Sequence, residues 1–539
     1  MIANKTQLRA TSLSPNLGPS KDCLSWERAC SRMVPILRAS SLPQETLTRI
    51  GSPIAILKHL TFLLFIIVLA ACSHQPTILA TATEPAQLLP LHVVADLPLM
   101  TAYPALSPPE LHQHQLANGA TLTLIPSTRA PYVQVQLIVD AGRLLFGANA
   151  DVLAEILRLT GDAETPAAWQ QRWRELAATL TVRSGPHRLI FSAEVLPNNA
   201  KQLLNTLRDM WQNPNLDSAN VLAQAQRNLR VQQHEQDLLG GDYGRLWQQL
   251  AYGPAHPYGS NAVNRVALQA VTLSSLRQSW QQTATEKQQW LIAGAVPNEQ
   301  IASWRTTIAH VPGTTPVARW RGQQAVVASA STRMTIHLLH AESAVQVNVM
   351  LGFALPLQDW SARWTCAAIA DLLGMSFSGR LFADLRERRG LSYDVGGHCS
   401  VAPLASELLL SGSTRPEHGA AFIHGLLAHL RLLSVHAATE PEMQRLRGAL
   451  RGQTRVQLET ARQRSRQFNA VELLGGDWRT LVEQDEFWQQ LPAQALPDFA
   501  RQWLQGEPVI VVRGDAGELE QQLRLVFPDA QYIRHDEVP

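Results

Sequence analysis

The feature that most limits how this 539-residue chain can fold is an order of elements that occurs twice. From Leu111, strands cover 121–125 and 133–139, with Val133, Val135, Leu137 and Val139 on one face of the second. Helices then fall at 150–159 and 166–180, a strand pair at 180–184 and 188–195, helices at 201–212 and 219–235, and a closing strand at 290–295. The second pass gives a strand at 344–351, helices at 363–373 and 379–389, strands at 391–400 and 407–413, helices at 419–433 and 441–474, and a closing strand at 508–513. Residues 311–330 hold two prolines and little periodicity, which suits a linker. The pattern predicts α+β architecture in two tandem units, 108–310 and 331–535.

Charge excludes one class of partner. Residues 1–72 carry eight of the 46 Lys and Arg and three of the 44 Asp and Glu, which leaves 38 against 41 beyond them, a net charge of −3. No Lys/Arg cluster is interleaved with aromatic residues, so a nucleic-acid surface is not expected.

The run 59–72, HLTFLLFIIVLAAC, is strongly apolar, follows Lys58 and ends against Ser73, His74 and Gln75. It is short for a bilayer span and has the form of a secretory h-region. Leu69-Ala70-Ala71-Cys72 resembles a bacterial lipobox, which makes 51–72 a lipoprotein signal peptide with Cys72 as the acylated residue. Ser73 is, by resemblance to other lipoproteins, compatible with the outer membrane facing the periplasm. Residues 1–50 read as an extension upstream of the true start, and the Pro-rich 73–107 as a tether to a membrane lipid anchor. Cys366 and Cys399 then remain, either paired in an oxidising periplasm or separate small buried residues.

Between Gly379 and Val395 the chain reads GRLFADLRERRGLSYDV. Leu381, Phe382, Leu385 and Arg386 recur at helical spacing, with Arg388 and Arg389 expected to look outward. Gly390 stops the helix, and Leu391, Tyr393 and Val395 alternate with Ser392 and Asp394 as on a strand. Leu385-Arg386-Glu387, Gly390-Leu391 and Tyr393-Asp394-Val395 resemble the second-half signature of the pitrilysin/insulinase family of zinc peptidases, which includes the mitochondrial processing peptidase subunits. Supporting resemblances are His256-Pro257-Tyr258-Gly259, Val271-Thr272-Leu273 and Ile292-Ala293-Gly294, all in the family's order. The resemblance covers about 111–528 and implies two tandem mitochondrial-processing-peptidase-like (LuxS/metallohydrolase-like) α/β sandwich domains. It also implies that Arg386 and Tyr393 hold a peptide substrate.

Active members carry His-x-x-Glu-His on a first-half helix, two zinc ligands with a general base between them, and a third ligand, Glu, some 75–80 residues on. Setting Gly161-Asp162 on the end of that motif places Val152 and Ile156 at the histidine positions and Glu155 at the base, a vestige without a metal. The third ligand falls on Gln232 or Gln233, with Glu235 one turn away. His112 and His114, and the group Glu417, His418 and His424, are poor substitutes. No zinc or other cofactor is therefore expected in this chain.

Three functions follow from the resemblance. The first is a catalytically inactive, substrate-holding subunit of a periplasmic zinc metallopeptidase complex, paired with a zinc-bearing homologous subunit. The second is a stand-alone peptide-binding or scaffold lipoprotein of the cell envelope. The third is an unconventional metallopeptidase using Glu155 and Glu235.

Overall fold

All seven side chains of the strand at Val133–Val139 are buried, including Gln134 and Gln136. A strand with one face on a core and one in water would expose alternate positions. In the computed structural model, which describes residues 103–536 except 130, 239, 261–263, 287, 312–331 and 376–378, the second face is covered by the other half of the chain. Cys72, the signal run, residues 1–50, most of the tether and nearly all of the linker lie outside the described residues.

Two six-stranded sheets carry the fold. The first contains β1 (His112–Gln115), β2 (Thr121–Pro126), β3 (Val133–Val139), β4 (Thr181–Ser184), β5 (Leu189–Val195) and β6 (Gln288–Gly294), in the order β1-β2-β6-β3-β5-β4. The second contains β7 (Thr335–His340), β8 (Val347–Leu355), β9 (Ser392–Ser400), β10 (Ser406–Thr414), β11 (Val509–Gly514) and β12 (Gln531–His535), in the order β12-β7-β11-β8-β10-β9. The five-strand core order is the same in both, with β2–β6 and β7–β11 parallel and the following pairs antiparallel. Only the added edge differs: β1 is antiparallel to β2, β12 parallel to β7.

Each sheet packs one face on its own helices. For the first sheet these are α1 (Ala148–Leu159), α2 (Pro166–Glu175) and α3 (Ala200–Gln212), whose Leu153, Leu157, Trp169, Leu203 and Trp211 join Val135, Leu137 and Phe191. The other face of each sheet is covered reciprocally. Ile125, Ile138, Leu291 and Ala293 meet Phe468, Val471 and Trp478 from the second half. Leu339 and Val511 meet Leu246, Trp247 and Tyr252 from the first. Arg188, buried between Asp140 at 2.9 Å and Glu472, ties the halves, and its Nη1 donates to the Asn469 carbonyl at 3.1 Å. Removing one partner from such a buried group typically costs about 3–5 kcal/mol.

Several expected elements are redrawn. The single helix expected at 441–474 is two, Glu440–Val456 and Ala461–Leu473, because Thr460 forms a capping box with Gln463 and starts a new helix. The helix expected at 379–389 is a wide π turn, Phe382–Arg388. Arg388 and Arg389 do not look outward. Both donate to the buried Asp384, at 2.7 Å and 3.0 Å, and the Arg389 side chain is 1% exposed. The short polar strands β1 and β12 lack the apolar alternation that marks a strand in sequence, whereas β7 carries it only over 335–338, with Ile336 and Leu338 buried.

Candidate functional site

Helix α1 sets the phase of the site. Val152, Leu153, Ile156 and Leu157 form its apolar stripe and are buried in the first core. The opposite stripe, Asp151, Ala154 and Glu155, lines a cavity of about 960 Å³ together with Gln232, Gln233 and Gln236. Val152 and Ile156, the positions expected from Gly161-Asp162 to match the two histidines, point into hydrocarbon. Of the residues that line the cavity, Asp151, Ala154 and Glu155 have the spacing of His-x-x-Glu-His, one residue earlier. Both expected third positions, Gln232 and Gln233, line the cavity. Glu235 is exposed on the same helix, Ala219–Leu238, and does not line it.

The donor set does not fit a catalytic zinc. Such an ion takes three protein ligands, commonly imidazoles and a carboxylate, each free to bind it. Here Asp151 accepts from Arg143 Nη1 at 3.2 Å. Glu155 accepts from Arg158 Nε at 2.7 Å and Nη2 at 2.6 Å, and from Asn228 Nδ2 at 2.7 Å. Burial pushes the Asp151 carboxyl above the ordinary range, against the opposing pull of Arg143. The third position is an amide, a weak ligand that does not ionise. Among the described residues no group of three His, Cys, Asp or Glu could hold a metal ion.

Arg386 and Tyr393 are brought together. The Arg386 guanidinium lies 4.4 Å from the ring centroids of both Phe382 and Tyr393, and its Nη1 donates to the Tyr393 carbonyl at 3.2 Å. Tyr393 itself is 81% exposed. Its exposure has a backbone cause: Asp394 pairs with Ser413 and Ser392 with Thr414, so Tyr393 is the extra residue of a β-bulge. The Ser392 hydroxyl bridges the bulge, 2.6 Å from the Asp394 carbonyl and 2.7 Å from that of Ser413. The turn below is held by Asp384, which also accepts from His429 Nε2 at 2.9 Å. Burial alone would raise the Asp384 carboxyl, but hydrogen bonds from His429, Arg389 and Arg388 hold it well below the carboxylate range.

Neither Arg386 nor Tyr393 lines the cavity. One link is electrostatic: the hydroxyl pKa of the cavity residue Tyr243 is raised first by burial and then by the charges of Asp394, next to Tyr393 on β9, and Asp242. A second link is Tyr258 of His256-Pro257-Tyr258-Gly259. Its hydroxyl lies 2.7 Å from His187 Nε2 and accepts from Leu404 N at 3.2 Å, and its ring meets Tyr252, whose own hydroxyl donates to Glu407 at 3.0 Å. Burial drives His187 down to about 4 and raises Tyr258. The cavity wall is thus a cross-half hydrogen-bond network.

Strand β4 forms another wall, through Val182, Arg183 and Ser184. Among the described residues it pairs with β5 alone and ends its sheet, so its other edge has no strand partner; Arg143 Nη1 donates to the Ser184 carbonyl at 3.2 Å at its end. Cys366 and Cys399 are joined, linking helix Trp360–Ala370 to β9. Of the other histidines, His112 meets Glu110 at 2.7 Å on the exposed β1, and His114, whose pKa is lowered by its partial burial, lies on the same strand. Glu417 and His418 form a turn before the helix that carries His424. None lines the cavity. Asp151 and Arg143 were not recognised from sequence. The signal for Asp151 was present: the stripe Val152, Leu153, Ile156 and Leu157 must face the core, which turns Asp151 and Glu155 outward together.

Residues 286–450 match a family model described as the peptidase M16 inactive domain. An uncharacterized zinc protease of Mycobacterium tuberculosis is 30% identical over 217 residues, 40% of this chain and 48% of that protein. One from Mycobacterium leprae is 29% identical over 152 residues, 28% and 34% of the two chains. The match thus spans about half the length of the first of these relatives and a third of the second. The fold is that of a peptidase M16 inactive domain from Pseudomonas fluorescens, with TM-score 0.65, 18% identity, and 75% of this chain and 98% of that one covered. It also resembles the periplasmic protease PqqL of Escherichia coli, with TM-score 0.59, 14% identity, and 79% and 49% covered. The matched inactive-domain model, the zinc-protease relatives and the shared fold together support this chain as a peptidase-like homologue of pitrilysin/insulinase type.

Proposed function

We propose that this chain holds peptides without cleaving them, as the non-catalytic subunit of a zinc metallopeptidase at the bacterial cell envelope. The carrying observation is the contrast between the two halves of the site. At the metal positions stand Asp151, Ala154, Glu155 and Gln232, with both carboxylates engaged by arginines. At the substrate-holding positions Arg386 and Tyr393 remain, pre-arranged by stacking and a backbone hydrogen bond. A peptide can lie along the open edge of β4 beside the cavity, adding a strand to the sheet.

On this reading the chain takes no zinc of its own, and cleavage needs a homologous subunit bearing His-x-x-Glu-His. The lipid anchor at Cys72 and the periplasmic, outer-membrane placement belong to the same proposal, motivated by the Leu69–Cys72 run. The test is to purify the chain, measure zinc by elemental analysis, and assay peptide cleavage alone and with such a homologue. Stoichiometric zinc and cleavage by the chain alone would overturn the proposal. Cleavage only on mixing supports it. Peptide binding with no cleavage in any mixture instead supports a stand-alone peptide-binding lipoprotein, a reading favoured by the Arg188 ties that already close the two halves on each other.

A further inference from the structure

The open edge of β4 has a cavity on each side. Val182 and Ser184 face the one described above. On the opposite face of the sheet, Thr181 and Arg183 line a second cavity of about 890 Å³ between β4, β5 and helix Ala461–Leu473. Its charged lining is one-sided: Arg174, Arg183, Arg462 and Arg466 against the single carboxylate Glu194. Glu194 is taken by Arg462 Nε at 2.8 Å. Arg174 donates only to the neutral Gln171, at 2.8 and 3.1 Å. Arg183 and Arg466 have no anionic partner among the described residues. Arg462 and Arg466, four apart on one helix, also repel each other.

We infer that the outer cavity selects acidic side chains, so that the peptides this chain holds along β4 carry Asp or Glu at the positions facing Arg183 and Arg466. The inference rests on the peptide-holding reading above. A peptide added to β4 sends alternate side chains to the two faces of the sheet. Those on one face enter the cavity lined by Gln232 and Gln236. Those on the other meet three guanidinium groups that lack a carboxylate. Arg183 lines both cavities, so a strand seated on this edge cannot avoid it.

The test is fluorescence anisotropy with the full-length protein and three labelled ten-residue peptides of one sequence, with Glu, Gln or Lys at every second position. The Glu peptide is expected to bind about tenfold more tightly than the Gln peptide at low salt, as two or three exposed ion pairs together supply. The Lys peptide is expected to bind most weakly, and the ratios to shrink as salt rises. In the double variant Arg183→Gln, Arg466→Gln the Glu-to-Gln ratio falls to about one, with unchanged melting as the check on folding. Equal binding of Glu and Gln peptides overturns the acidic selection and leaves the peptide-holding reading standing. Binding of none of the three overturns both. A Glu preference that survives in the double variant overturns the assignment to this cavity.

Discussion

Arg386 grips Tyr393 at two points, by its guanidinium 4.4 Å from the ring centroid and by a 3.2 Å hydrogen bond from Nη1 to the carbonyl. On the proposed peptide-holding role the pair is therefore assembled in advance, and the bulge at Tyr393 turns the ring outward. A pre-arranged pair loses less conformational freedom on binding than two independent side chains would.

Arg386→Ala is expected to weaken peptide binding by about tenfold or more, with little change in melting temperature, because both residues reach solvent. Arg386→Lys is expected to recover only part of the loss, since an ammonium lacks the planar face that stacks between Phe382 and Tyr393. Titration of a labelled peptide against each variant measures this. Unchanged affinity in Arg386→Ala would remove the pair from the site.

The phase of α1 can be tested by restoring a metal site. The variant Asp151→His, Ala154→Glu, Glu155→His with Gln232→Glu is expected to bind zinc, because these residues face one cavity. Val152→His with Ile156→His is expected instead to destabilise the protein by several kcal/mol, roughly 2 or more for each imidazole placed in the hydrocarbon core. Elemental analysis and thermal melting of the two variants distinguish the registers. Zinc in the second variant and none in the first would restore the phase expected from Gly161-Asp162.

Asp384 anchors the turn that carries Arg386. Its buried carboxylate accepts from Arg388, Arg389 and His429, so Asp384→Asn is expected to cost about 3–5 kcal/mol by leaving cations unpaired. Its folded pKa is depressed. The stabilisation is therefore complete above the unfolded value of about 4 and is lost as pH falls below it. Denaturant unfolding at neutral pH and at pH near 3 should show the gap between wild type and variant narrowing in acid.

His187 produces a second pH dependence, in a higher window. Burial holds it at about 4 in the fold against 6.5 ordinarily, so the fold favours the neutral ring. Its contribution is present above 6.5 and is lost as pH falls from there toward 4, because the unfolded chain takes the proton more readily. Melting temperature is expected to decline over that interval, and His187→Gln to flatten the decline. A profile identical in the variant would assign the acid sensitivity to other groups.

Much of the fold was legible from local pattern. Val133–Val139 and Gly379–Val395 announced strand, glycine stop and strand from residue spacing alone, and the repeated order anticipated two sheets of like topology. The burial of Gln134 and Gln136 was not legible, since both find partners far along the chain: Gln134 donates to Ser192 at 3.3 Å on the neighbouring strand, and Gln136 accepts from Asn469 at 2.7 Å in the second half. Arg388 and Arg389 misled for a different reason. Adjacent arginines read as surface until the turn brings Asp384, four and five residues back, beneath them beside His429.

Element order, the absence of any His-x-x-Glu-His motif and the presence of Arg386 and Tyr393 can all be read from residue order, because each is a property of neighbouring residues. The apolar stripe of α1 already turns Asp151 and Glu155 away from the core together, and Arg143 and Arg158, which engage them, are close in the chain. What those carboxylates face, and the gathering of four arginines from both halves beside β4, come from packing between distant segments, which no local periodicity encodes.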